Sequence, residues 1–302
     1  PVKEILTVLM AYARADGDND AKRVAQLEVQ GYDSYETFDV FFALERDRPG
    51  VPFSLVTSRG PLQVKPIGLE ARRNQMRANK VNDNEPIWTL EFDDSRCARL
   101  VMPSWVTYDL TWDWRHFLDE SFETIAARGA QSLIVDLRGN EGGEDCGHEI
   151  IARCIDAPLK RASYERRVRY RKAPADLDPI LDTWDKSFKD WGNDAQQLRD
   201  GFFRLIEKDG ESRAPITPKG PRFRGRLIVL VDATNSSATF QFANLVQANR
   251  LGTLVGAPTG GNLRGINGGA FFFLRLPASG LEADLPVIGT FPASPQPDRG
   301  LT

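Results

Sequence analysis

Two apolar runs, "SLIVDL" (132–137) and "RLIVLV" (226–231), restrict this chain more than any other feature. A strand with one wet face alternates apolar and polar side chains, whereas a strand covered on both faces reads as a nearly continuous apolar run. The first run leads into "RGNEGG" and then a helix-spaced segment through His148 to Cys154. The second leads into "DATNSSATFQFANL" (232–245), whose apolar residues also fall at helical spacing. Strand, tight loop and helix in that order, twice over, predict an α/β core of stacked β-α units.

The rest of the chain is arranged around those units. Residues 2–15 and 20–29 have helical spacing, and 51–69 reads as two short strands around Arg59-Gly60. The polar stretch 71–85 reads as a linker or exposed loop. "IWTLEF" and "CARLVMPSW" predict paired strands joined at "DDSR", followed by a helix over 113–129 that packs on Phe117, Leu118, Phe122 and Ile125. Residues 158–222 are charged, aromatic and rich in proline, and read as a helical insertion or lid. "LGTLVGAPTGG" (251–261) predicts another strand and turn, and 269–286 a hairpin turning at Ser279-Gly280. The expected organisation is therefore a small N-terminal α+β segment, 1–85, and a core domain, 86–302, carrying the insertion. Both ends look cut, since Pro1 has no methionine before it and "PDRGLT" ends the chain in a turn.

Composition narrows the partners. With 302 residues and a formal net charge of −3, the chain lacks the basic excess of a nucleic-acid binder. No apolar stretch approaches the roughly 18–20 residues that span a bilayer. Three cysteines without a C-x2-C spacing give no disulfide framework. Neither GxGxxG nor GxxxxGK[ST] occurs, so no cofactor is expected.

Two adjacent serines, Ser236 and Ser237, stand where a buried strand hands over to a helix. A serine there often caps the helix, and that explains one of them without chemistry. A nucleophile has a physical basis at the same place, because free N–H groups and the positive end of the helix dipole stabilise an oxyanion. The GxSxG elbow of the α/β-hydrolases is missing. In "DLRGNEGG" (136–143), glycines let backbone N–H groups turn toward a ligand, although the same residues also make an ordinary β-α turn.

Together these stretches resemble the C-terminal processing, or tail-specific, serine peptidases, which are built on a ClpP/crotonase-like core. The hallmark D-L-R-x-N-x-G-G is matched by Asp136, Leu137, Arg138, Asn140, Gly142 and Gly143. Ser237-Ala238-Thr239 resembles the first three positions of an S-A-S-E-like stretch, with Phe240 where glutamate is usual. Val255, Gly256, Pro258, Thr259 and Gly261 match a later V-G-x-P-T-x-G. The three motifs stand in family order, and the likeness spans about 85–302. It implies a peptide or protein substrate, Ser237 as nucleophile, and an oxyanion hole from the N–H of Ala238 and of Gly142 or Gly143. It also implies an extracytoplasmic setting.

The catalytic base does not follow so easily. Family members with a Ser–Lys pair place the lysine just after P-T-x-G, where this chain has Asn262, which accepts no proton. The tricorn-like Ser–His branch is the better match, but its D-G-H-T-like stretch is absent here. The base is therefore expected upstream of Pro1. Of the two histidines, His116 is expected on a helix face, and His148, five residues after Gly143, is a weak candidate base. Asp298, in the C-terminal turn, is the candidate acid. "EDCGHE" (144–149) collects possible metal ligands without metal-site spacing, so no metal is expected. Residues two apart on a helix do not face each other, which sets aside a Cys146–His148 pair. The missing lysine and Phe240 also suit a relative that binds peptides without cleaving them. A crotonase-like acyl-thioester enzyme is a further alternative, though that chemistry has no need of Ser-Ala-Thr.

Overall fold

The structure, a computed structural model, describes residues 2–31, 35–45, 50–76, 85–94, 96–161, 164–206 and 214–302. The chain divides into two compact units: residues 1–15 with 20–85, and residues 16–19 with 86–302.

The smaller unit contains α1 (Val2–Met10), α2 (Asp20–Gln26), α3 (Thr37–Glu45), a β1–β2 hairpin (Phe53–Thr57, Gly60–Val64) and α4 (Leu69–Gln75). The hairpin turns at Arg59-Gly60 as expected. The expected linker at 71–85 is instead helical as far as Gln75, because "LEARRNQ" is made of good helix formers. Residues 77–84 of that stretch lie outside the described residues.

The larger unit is built on a five-stranded sheet ordered β11-β10-β5-β4-β3. Its strands are β3 (Thr89–Asp94), β4 (Cys97–Val101), β5 (Ser132–Asp136), β10 (Arg226–Val231) and β11 (Thr253–Gly256). The four from β4 to β11 run parallel, and β3 pairs antiparallel with β4. Three helices cover this core: α5 (Trp114–Ala127), α6 (Cys146–Cys154) and α7 (Ser237–Ala248). Asp113 starts α5 by accepting the N–H groups of Arg115 and His116, each at 3.0 Å. The expected packing positions Leu118, Phe122 and Ile125 are all buried. Leu133, Val135, Leu227 and Val229 fill the interior of the sheet, and α6 packs against both α5 and α7.

The insertion at 158–222 differs from expectation. Its described residues form no α-helix. They hold β6 (Tyr164–Val168), β7 (Leu181–Asp182), β8 (Ala195–Gln197) and β9 (Phe203–Leu205), joined by short 3-10 turns. Prolines at 158, 174, 179, 215, 218 and 221 interrupt any helical run. β8 and β9 pair with each other, whereas β6 and β7 also find hydrogen-bond partners far along the chain, beyond the reach of local periodicity. β6 pairs with β15 (Gly289–Pro292) in a second sheet ordered β12-β15-β6-β9-β8, where β12 is Ile266–Asn267. β7 joins the hairpin of β13 (Phe271–Arg275) and β14 (Glu282–Pro286), whose turn contains Ser279-Gly280. A small core of Val168, Ala195, Leu205, Ala270 and Ile288 lies under Phe188 and Trp191.

Leu133 is fully buried in the centre of β5, whereas Leu281 is 66% exposed. In urea unfolding, Leu133→Ala is expected to cost about 2–5 kcal/mol, and Leu281→Ala less than about 0.5 kcal/mol.

Candidate active site

Parallel pairing brings the three motifs together. Leu230 of β10 lies opposite Asp136 of β5, and Val231 lies opposite Gly256 of β11. Adjacent parallel strands end at one edge of the sheet, so the loops that follow them become neighbours.

The loop after β5 is fixed by Asp136 and Asn140. Asp136, 3% exposed, accepts hydrogen bonds from Arg138 Nε at 2.9 Å and from Arg99 Nη2 at 2.6 Å. Burial alone would raise the Asp136 carboxyl, but the hydrogen bonds from Arg138 and Arg99 outweigh it and hold it at about 2. Asn140, fully buried, donates to Met102 O at 2.7 Å and accepts the Gly142 N–H at 2.9 Å. Gly142 and Gly143 have φ of 112° and 137°, which favour glycine. A methyl group on Gly142 would lie 2.9 Å from Ser237 Cβ and 3.1 Å from Ala238 N, and one on Gly143 would strike the Trp105 carbonyl. The glycines are therefore what lets the loop touch the head of α7.

Asn235 ties the second loop to the first. Its amide nitrogen donates to Leu137 O at 2.6 Å and to Asn140 O at 2.9 Å, and its side-chain oxygen accepts Asp232 N–H. It is fully buried, so the N-S-S sequon beginning at Asn235 is not presented for glycosylation. Ser236 stands at the N-cap position without making a side-chain cap; its hydroxyl bonds to Glu141 O at 3.0 Å. Ser237 has φ of 49°, a left-handed conformation that costs a non-glycine residue on the order of 1–3 kcal/mol. Ala238 follows at the second helical position, where no intrahelical acceptor exists. Among the described residues, the N–H groups of Ala238 and Gly143 have no acceptor, whereas that of Gly142 is committed to Asn140.

The third motif closes the site from the β11 side. Gly261 N–H donates to Asn235 O at 2.9 Å, and a methyl group on Gly261 would strike the ring of Phe240. Phe240, at the position where the family carries glutamate, is 3% exposed. Asn262 is 1% exposed and donates to Asp298 Oδ1 at 2.7 Å and to Asp16 O at 2.8 Å. Asp298 also accepts Asp18 N–H at 2.9 Å and Arg264 Nη1 at 2.6 Å. These donors, Asp18 N–H foremost, hold its carboxyl below the usual range. Asn19, 4% exposed, aims its amide nitrogen at the carbonyls of Thr259, Gly260 and Gly261.

The fold thus gathers Ser237, Ala238, Gly142 and Gly143, and sets Asp298 against Asn262. His148 stands apart on α6. Its contact is Asp145 at 3.6 Å, and burial lowers its pKa. His116 is 66% exposed and lies 3.3 Å from Glu120 on α5. Neither histidine is hydrogen-bonded to Ser237 among the described residues. Cys146 is buried, and burial pushes its thiol up, away from the reactive thiolate. Glu144 accepts Trp114 Nε1, and Glu149 pairs with Arg153 and Lys219. Among the described residues, no three His, Cys, Asp or Glu side chains are placed to hold a metal. No helix among them is long and apolar enough to cross a membrane.

Sequence reading missed the Asp16–Asn19 segment, which joins this unit from more than 240 residues away. A signal for it existed: Asp16-Gly17-Asp18 repeats the first two positions of D-G-H-T and has aspartate in place of the histidine.

Two outcomes test this geometry. Asn140→Ala leaves the Gly142 N–H without its acceptor and the Met102 carbonyl without its donor; the expected loss is about 1–3 kcal/mol in denaturant unfolding. Because the Asp136 pKa is depressed on folding, its stabilisation is complete above about pH 4 and is lost as pH falls through about 2. Asp136→Asn should therefore be less stable than the parent by about 2 kcal/mol at pH 6, with the gap shrinking steadily in acid titrations toward pH 2.

Comparison with known proteins gives the family of the chain. The model of peptidase family S41 matches residues 96–268. Among solved structures, mature CPAF complexed with lactacystin is 12% identical with a TM-score of 0.52, over 97% of this chain and 66% of that one. That likeness is one of fold, and the chain spans 66% of the length of that protein. A putative peptidase from Parabacteroides merdae is 19% identical with a TM-score of 0.39, over 95% of this chain and 78% of that one. The photosystem II D1 C-terminal processing protease is 14% identical with a TM-score of 0.36, over 68% of this chain and 41% of that one. No curated protein matches the chain. With its family model covering more than half of the residues, including all of the Gly loop and the Ser237 helix, the chain belongs to peptidase family S41.

Proposed function

We propose that the chain is a serine peptidase that cleaves peptide bonds through an acyl-enzyme on Ser237. The observation that carries this reading is the left-handed Ser237 at the head of α7, packed against Gly142. In this reading the Ser237 hydroxyl oxygen attacks the scissile carbonyl, whose oxygen takes up the negative charge. The N–H groups of Ala238 and Gly143 receive that oxygen, and the positive end of α7 adds to its stabilisation. Collapse of the tetrahedral species expels the amine, which leaves with a proton, and water then releases the acyl group. Gly143 is preferred to Gly142 as the second donor because the Gly142 N–H is already bonded to Asn140.

A second reading, a relative that binds peptides without turning them over, is favoured by one observation. The segment that meets Asn262 and Asp298 carries Asp18 where the Ser–His branch carries histidine. No imidazole is then on hand to take the Ser237 proton.

Labelling with a fluorophosphonate tests the nucleophile. The parent and Ser236→Ala are expected to label, and Ser237→Ala to stay unlabelled; equal labelling of Ser237→Ala overturns the assignment. Asp18→His separates the two readings. A peptidase limited by proton transfer should gain at least about tenfold in peptide hydrolysis, in the range expected for a general base, whereas a binding protein without a competent site gains nothing.

A further inference from the structure

A cleft of about 310 Å³ opens beside α7 in the larger unit. One wall is the helix itself, through Phe240, Gln241, Asn244 and Ala248. Phe240 and Gln241 stand one helical turn after Ser237, and Asn244 and Ala248 continue their face of the helix. Asn262 and Ile266 from the loop after β11 form the opposite wall, and Thr290 and Gln296 from the β15 segment close the end. The cleft therefore starts one helical turn from the serine.

None of the residues lining it carries a formal charge. Its polar groups are carboxamides and hydroxyls, set among apolar side chains. Asn244 Nδ2 donates to the Tyr164 hydroxyl at 2.9 Å, which leaves the Asn244 oxygen and the Tyr164 proton for a guest. Burial raises the Tyr164 pKa, so that proton stays in place at neutral pH. The Gln241 side chain, half-buried one turn from Ser237, makes no hydrogen bond among the described residues. Arg264 and Asp298, which flank the lining loop, pair with each other.

We infer that this cleft receives the substrate side chain next to the bond that Ser237 attacks, and that it admits uncharged side chains, glutamine and leucine foremost, while rejecting glutamate and lysine. The inference rests on the serine-peptidase reading for its orientation. Burying a carboxylate or an ammonium against neutral walls has a large desolvation cost with no counter-charge to offset it. A glutamine side chain has the same shape as glutamate, and finds both a donor and an acceptor at Tyr164 and Asn244. Leucine fills the space against Phe240 and Ile266. The residues that set the choice are Asn244 and Gln241.

The test uses two arms. In the first, peptides acetyl-Ala-Ala-X joined to aminomethylcoumarin, with X as Gln, Leu, Glu or Lys, are compared by kcat/KM. Gln and Leu are expected to exceed Glu and Lys at least tenfold, and Asn244→Asp to raise Lys relative to Gln at least tenfold. Gln241→Glu is the second variant, should Asn244→Asp fail to fold. Cleavage of Glu or Lys as fast as Gln by the parent overturns the inference, as does an unmoved Lys-to-Gln ratio in a folded variant. In the second arm, fluorescein-labelled hexapeptides ending in X are titrated onto Ser237→Ala and read by anisotropy. If no peptide is cleaved in the first arm, the peptidase reading falls and this arm decides the cleft alone. Tighter binding of Gln and Leu sustains the inference, and equal Kd values for all four peptides overturn it.

Discussion

Two buried carboxamides hold this site together. Asn140 and Asn235 sit on the loops that leave adjacent parallel strands, and each bonds to backbone that belongs to the other loop or to a neighbouring segment. Strand register alone places the loops side by side; it does not fix their heights to within the tenths of an ångström that an oxyanion hole requires. A side-chain amide does, because it offers a donor and an acceptor in one rigid plane, and an unmet backbone group is costly at full burial. Asp136 works one layer below. It gathers Arg99 from β4 and Arg138 from the loop, so the loop is anchored to a strand on its far side as well.

That anchoring accounts for the conformation of Ser237. A left-handed serine persists only where its surroundings over-determine it. Here Ser236 is tied to Glu141 O, Thr239 reaches Ser236 O at 2.7 Å, and Gly142 presses on Ser237 from the side. The hydroxyl of Ser236 is thus spent on holding the two loops together rather than on capping α7. The two serines differ accordingly: Ser236 fastens the loops, and Ser237, with a strained backbone, makes no side-chain hydrogen bond among the described residues.

How much of this the sequence discloses depends on the range of the interactions involved. The core strands were legible because burial on both faces leaves a nearly continuous apolar signature within six residues, as in 132–137 and 226–231. The helix over 113–129 was legible because Asp113 and the spacing of Leu118, Phe122 and Ile125 are local. The insertion was not: β6 carries arginines at 166 and 167 and becomes a strand because β9 and, more than 120 residues later, β15 offer their backbones. Nor was the Asp16–Asn19 segment, whose partners lie beyond residue 258. Of the site, the three motifs and the serine could be read directly. The difference between the Gly142 and Gly143 N–H groups could not, since it turns on one hydrogen bond to Asn140 that only the folded loop defines.

Asn262 shows why a family pattern transfers residue by residue and not wholesale. In the Ser–Lys branch its position supplies the base. Here it is nearly sealed from water, and its amide joins three segments: Asp16 by one hydrogen bond, Asp298 by another, and the Arg264 N–H through its oxygen. A neutral side chain suits that task because it donates and accepts at once, which an ammonium cannot do. The same substitution removes a charge from the wall of the cleft beside α7, where Phe240 has removed a second one. A residue at 262 that cannot act as a base thus also leaves its part of the cleft lining uncharged. In the serine-peptidase reading a proton acceptor for Ser237 acts from outside that wall, where the Asp16–Asn19 segment is bonded to Asn262 and Asp298.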